Sequence, residues 1–174
     1  MKTLARWCAV LLALCALPVY AEINFRFRDF EDPDEPQWQE GEATLPDFPK
    51  DEDLLEFYVS AGTANRFYID GKSISPGADG VVRFALVVRT AGGATNTSFE
   101  GIRCGTLETR LYAIGSKGVW VPARNSAWNP IENKPINRHH AALSRDYFCP
   151  SMVPIQTAEE GRDALRRGKH PNAM

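Results

Sequence analysis

Few residues in this chain could do acid–base or nucleophilic work. Histidine is the side chain that changes charge near neutral pH, and only His139, His140 and His170 are present. Neighbours on a helix diverge by about 100°, so His139 and His140 do not make a two-ligand face for a metal. His170 falls in a basic tail, Arg162 to Met174, and reads as a frayed surface residue. No Gly-x-Ser-x-Gly elbow, phosphate loop or dinucleotide glycine pattern occurs, and Gly92-Gly93 lacks the following helix such sites require. Carboxylates are dense only before Glu56, in an irregular stretch that cannot hold the fixed spacing of an acid–base pair. That stretch also lacks the spaced Asp and Gly pattern of a calcium loop. The reading is therefore no catalytic set, no cofactor and no metal. The contrasting reading is an enzyme using Asp70 or Glu100 beside an arginine.

Cysteine chemistry depends on where the chain ends up. Met1 to Ala21 combines Lys2 and Arg6, an apolar run from Trp7 to Leu17, and Val19-Tyr20-Ala21, whose small first and third residues suit cleavage between Ala21 and Glu22. This predicts a secretory signal peptide; the apolar run is too short, and too soon broken by Pro18, for a membrane span. Lipidation at Cys15 is disfavoured because Leu14 stands where a small residue is needed. Loss of residues 1–21 removes Cys8 and Cys15 and leaves Cys104 and Cys149, which in an oxidising compartment most simply form one disulfide. Two buried free thiols are the alternative. Zinc is poorer, with no CxxC pair or spaced histidine beside either cysteine.

The 174 residues allow one domain plus a tail, and 44% hydrophobic residues supply a core. Lys plus Arg is 20 and Asp plus Glu is 22; without Lys2 and Arg6 the balance is 18 to 22, net −4, which does not suit a duplex nucleic-acid binder. Charge is unevenly placed. Residues 22–56 carry 13 acids and 3 bases, and residues 57–174 carry 9 acids and 15 bases. Ile23, Phe25 and Phe27 alternate as in a strand. Residues 29–53 carry four prolines among carboxylates and predict an extended or disordered acidic arm, with Trp38, Leu45 and Phe48 as docking points. Such an arm is either a solvated face or a cover laid along the basic body.

From Leu54 the pattern is that of an antiparallel sheet. Strands are expected at Leu54 to Ser60, Arg66 to Asp70, Val82 to Val88, Thr95 to Cys104, Arg110 to Ile114 and Val119 to Val121, separated by Gly, Asp and Ser turns. Gly101 breaks the alternation between Phe99 and Ile102 as a bulge would. Phe84 aligns with Val82 and Leu86 and belongs to the core, while the Arg83 and Arg89 side is expected to be solvated. This counts against stacking of single-stranded nucleic acid on Phe84, Phe99, Tyr112 and Trp120. Asn125 to Pro135 reads as a loop. Asn137 is placed to cap a helix reaching Phe148, and Thr157-Ala158-Glu159-Glu160 is a capping box for a second. A Cys104–Cys149 bond would staple helix to sheet.

Asn65-Arg66-Phe67-Tyr68-Ile69-Asp70 with Ser73-Ile74, Val81 to Asn96, Phe99-Glu100-Gly101-Ile102-Arg103-Cys104, and Asn137-Arg138-His139-His140 leading to Asp146-Tyr147-Phe148-Cys149-Pro150 resemble the cryptic neisserial protein-like family. The resemblance spans Glu40 to Cys149. It implies an exported protein of Gram-negative bacteria whose biochemical role is not established. The order Phe-Tyr-Ile-Asp, Ser-Ile, long strand, Cys, Trp-containing hairpin and last Cys is also similar to surface-adhesin protein E. That likeness implies a mainly antiparallel sheet joined to a helix by a disulfide, and binding of host components, but assigns no binding residue.

The sequence thus predicts an α+β protein: a six- or seven-stranded antiparallel sheet with one or two C-terminal helices stapled by Cys104 and Cys149. The segments are 1–21 signal peptide, 22–53 acidic arm, 54–156 sheet domain and 157–174 helix with basic tail. The expected role is a non-catalytic protein of the periplasm or outer envelope that binds a protein or other envelope component. No nucleic-acid partner and no transmembrane span after signal removal are expected, and a sheet edge could serve a homodimer. The alternatives are a surface adhesin and an unrecognised enzyme.

Overall fold

Val82, Phe84, Leu86 and Val88 alternate with Arg83, Ala85, Val87 and Arg89, and this two-residue period makes a long central strand. The computed structural model describes residues 37–174; the expected signal segment, its cleavage point at Ala21 and Glu22, and the strand at Ile23 to Phe27 lie outside them. Eight strands form one antiparallel sheet: β1 Leu54–Phe57, β2 Arg66–Asp70, β3 Ser75–Pro76, β4 Val81–Arg89, β5 Thr95–Arg103, β6 Glu108–Ser116, β7 Val119–Pro122 and β8 Asn129–Pro130. Six run side by side in the order β1-β2-β4-β5-β6-β7. The other two are two-residue bridges, β3 against β4 and β8 against β6, the latter inside the expected loop.

Register decides what each face carries. Opposite Phe84 stands Glu100, and opposite Ala85 stands Phe99. One face therefore carries Val82, Phe84, Leu86, Glu100 and Ile102. It is covered by helix α1 (Arg138–Ala142), which widens into a π-helical turn at Leu143–Phe148, and by helix α2 (Ala158–Arg167). Phe84, Ile69, Ile102, Leu143 and Phe148 are fully buried there, each burial contributing about 1.5–3 kcal/mol. Leu143 and Tyr147 both face this core, as their four-residue spacing predicts. The Cys104–Cys149 disulfide joins the residue after β5 to the end of the π-helical turn.

Several local expectations are corrected. In the β5–β6 pairing Phe99 faces Ala113 while Glu100 faces Leu111, so the extra residue is Tyr112 on β6, not Gly101. Gly101 is instead a close approach: a Cβ there would lie 2.7 Å from the Tyr112 hydroxyl. Asn137 sits at the start of α1 without a side-chain cap bond. The second cap does form, with Thr157 Oγ1 accepting from the Glu160 amide at 3.1 Å, but Glu160 reaches the Gln156 amide rather than that of Thr157. Gly168 closes α2 in the left-handed conformation. His170 is not frayed: it is 5% exposed, and its ring bonds Glu160 at 3.0 Å. No helix among the described residues is long and apolar enough to cross a membrane.

Candidate functional site

The acidic arm from Trp38 to Asp53 crosses the sheet face opposite the helices, which corrects the expectation of a solvated arginine for Arg83, while the Arg89 side chain stays 40% exposed. Arg83 is only 5% exposed. Its guanidinium donates to Asp79 at 2.6 Å and to the Gly41 carbonyl at 3.0 Å. Burial works against an ionised Asp79, but Arg83 and the amides of Gly41 and Val81 outweigh it and hold this carboxyl below its ordinary value. Glu40 is the arm's anchor. It accepts from Arg110, from the Tyr112 hydroxyl at 2.6 Å and from the Trp128 indole at 3.0 Å, with Arg83 at 3.7 Å. Burial and the bond to Glu40 both push the Tyr112 phenol upward.

Aromatic contacts hold the rest of the arm. Arg103 stacks on the Trp38 ring at 3.9 Å, Trp120 donates to the Pro46 carbonyl at 2.8 Å, and Phe48 meets Trp120 at 5.1 Å. Of the three expected docking points, Trp38 and Phe48 dock and Leu45 stays 45% exposed. Arg89 and Lys72 pair with Asp51 and Asp53 at 2.7 and 2.9 Å.

On the helix face the Glu100 carboxylate turns toward the core, and the residue is 7% exposed. Its oxygens accept from His140 Nε2 and from Ser98 Oγ, both at 2.6 Å. Burial raises its pKa, yet the hydrogen bond and electrostatic attraction of His140, with the Ser98 hydroxyl, bring it below the ordinary value. The pair opens on a cleft of about 530 Å³ that Thr109, Leu111, Asn129, Ile131, Glu132 and Asn137 also line. Its partner is thus a histidine, not the expected arginine. His139 stacks on Phe67 at 5.4 Å; burial, then electrostatic repulsion from the adjacent His140, lower its pKa to about 4. Asp70 lies in a separate recess with Pro46 and Lys72, where it accepts from the Lys72 amide at 3.0 Å and burial raises its pKa. The two sequence candidates therefore do not meet. Among the described residues no cluster of three or more His, Cys, Asp or Glu is placed to hold a metal ion.

Beside the disulfide lies a second recess, of about 330 Å³, lined by Leu107, Ile131, Ala141, Ser144, Arg145, Cys149, Ser151 and Met152 among others. Three of these, Leu107, Ser151 and Met152, hold positive φ angles of 53°, 54° and 65° without being glycine. Each costs of order 1–3 kcal/mol and persists only where the surroundings over-determine it. The wall includes the π-helical turn, a form enriched at functional sites. Ser144 has a buried hydroxyl with no hydrogen-bond partner. Periodicity gives no sign of this recess; the sequence offers only Cys149-Pro150, which ends one helical run and starts a turn.

Fold and site define a disulfide-stapled antiparallel-sheet protein with an acidic strap on one face and, toward the helices, the Glu100–His140 cleft and the recess beside the disulfide. The CNP1-like family model matches residues 33–166, and the chain belongs to that family. It is similar to Cryptic neisserial protein 1 of Neisseria gonorrhoeae (strain ATCC 700825 / FA 1090), with 30% identity over 156 residues, covering 78% of this chain and 75% of the relative. No solved structure matches it.

Proposed function

We propose that residues 1–21 are a signal removed between Ala21 and Glu22, and that the mature chain works in the periplasm or outer envelope as a non-catalytic protein binding an envelope protein. The observation that carries this reading is the recess beside the disulfide, where three non-glycine residues in the left-handed region frame a largely apolar surface. Strain held at a concave apolar site is what a binding site costs and a packing surface does not need. Met152 at its rim is 51% exposed, so the occupant we assign is an apolar side chain of a protein partner. The disulfide supports residence in an oxidising compartment.

The test is site-specific photo-crosslinking in cells that export the full chain. A probe at Met152 is expected to give one discrete adduct with an envelope protein, and a probe at Lys117 in the β6–β7 turn none. Identical patterns from both positions would sink the reading. N-terminal sequencing of the exported protein should begin at Glu22, and protease shaving of intact cells separates a periplasmic protein from a surface adhesin.

One observation favours an enzyme instead. A carboxylate orienting an imidazole in an open cleft is an arrangement used for general-base catalysis, and Glu100 with His140 has that form. The hydroxyl lining this cleft, on Thr109, donates to the Gly101 carbonyl at 3.2 Å and is not set against His140. Hydrolysis of an ester, amide or phosphate substrate that disappears in His140→Ala would move the assignment to that pair.

A further inference from the structure

The sheet face under the arm is built like a peptide-binding surface that already holds a peptide. The arm between Trp38 and Lys50 is irregular and forms no ladder with the sheet. It is held as a bound segment would be: one carboxylate, Glu40, receives Arg110, Tyr112 and Trp128, and one aromatic ring, Trp38, lies on a guanidinium. Two of its carbonyls, Gly41 and Pro46, accept from the side chains of Arg83 and Trp120. Every receiving group belongs to the body beyond residue 56, where 15 bases stand against 9 acids. Between the two anchored ends, Leu45 points to solvent.

We propose that this cradle is an exchangeable recognition site for an acidic linear segment of a protein partner, with an aromatic residue two positions before a carboxylate, and that residues 38–50 are its resident, self-supplied ligand. The proposal is independent of the recess beside the disulfide. A tethered segment competes at an effective concentration on the order of mM, so a partner segment gains entry only when it matches the anchors or the arm is loosened. Salt weakens both arm and partner, since guanidinium–carboxylate attraction carries the recognition.

The experiment measures binding of a labelled peptide copying residues 37–50 to the full chain and to its Glu40→Ala and Trp38→Ala variants, with thermal melts to establish that each is folded. The expected result is at least tenfold tighter binding by the variants than by the unaltered chain, lost when the peptide carries Gln in place of the glutamate that copies Glu40. Glu40→Gln, which keeps the side-chain shape, gives the same readout if Glu40→Ala does not fold. Folded variants that bind no better than the unaltered chain overturn the proposal. So do variants that dimerise by light scattering without taking up peptide, because the cradle then serves arm exchange between two copies.

Discussion

Acidification from pH 7.5 to 5 should destabilise this fold mainly through one imidazole. His139 lies against Phe67 on one side, with His140 and Glu100 nearby, and burial lowers its pKa from an ordinary 6.5 to about 4. Unfolded, it takes a proton as pH falls through 6.5; folded, it stays neutral until about 4. The unfolded state therefore binds more protons in this window, and each pH unit costs the fold about 1.36 kcal/mol. Between pH 7.5 and 5 the loss comes to about 2 kcal/mol, at pH 4 it is about 3 kcal/mol, and at lower pH it approaches about 3.4 kcal/mol. Glu100 has linkage of the same sign but in a lower window: its lowered pKa contributes stability above its unfolded value, and that contribution is lost as pH falls through the folded value, below the pH 5 endpoint. The assay is urea unfolding at pH 7.5 and 5.0 for the native chain and for His139→Phe, which keeps a ring against Phe67. The variant should lose about 2 kcal/mol less than the native chain on acidification. Equal losses in the two proteins would refute the assignment to His139, and His139→Gln guards against a fault specific to the larger ring.

Three further outcomes follow from the packing. Replacing Cys104 and Cys149 by Ser opens a 45-residue separation, which on the chain-entropy estimate costs about 4 kcal/mol; the urea midpoint of the native chain under reductant should fall to that of the double variant. Gly101→Ala would put a Cβ 2.7 Å from the Tyr112 hydroxyl and 3.0 Å from Val81, so it should cost about 1–3 kcal/mol and lower the melting temperature; an unchanged melt means Tyr112 is loosely held. Leu107→Gly should leave the melting temperature unchanged or raise it by relieving a φ of 53°, while weakening the Met152 crosslink. A clear loss of stability would show that Leu107 is held there for packing alone.

The strands, the helix-facing core and the disulfide were legible because each rests on a local signal: alternation over β4, glycine-rich turns, two cysteines left after residue 21. Arg83 was not. Alternation correctly turns it away from Phe84, but only the docking of residues some forty positions upstream decides whether that direction is water or protein. Gly101 was ambiguous for a related reason, since a strand glycine marks either a bulge or a close approach, and here the bulge sits on the neighbouring strand at Tyr112. The Glu100–His140 pair had one usable sign. A carboxylate on the apolar side of β5, between Ser98 and Ile102, must find a hydrogen-bonding partner when buried. Its partner lies forty residues away on α1 and shares no periodicity with it.

An antiparallel sheet usually leaves one face to water, and here both faces are covered, but by different means. Helices satisfy their own backbone and can offer the sheet a purely apolar stripe, as Leu143, Tyr147 and Leu165 do. An irregular arm cannot: its N–H and C=O groups have no ladder, and those laid against the sheet are paired by side chains of the surface they cross. That requirement accounts for what the body presents to the arm. Asp79 receives the Gly41 amide, Arg83 serves the Gly41 carbonyl, and the Trp120 indole serves that of Pro46. These are groups that read an extended backbone with an acidic side chain, whichever chain supplies it, so the chemistry that lets the arm lie down is the same chemistry that would let a partner segment replace it.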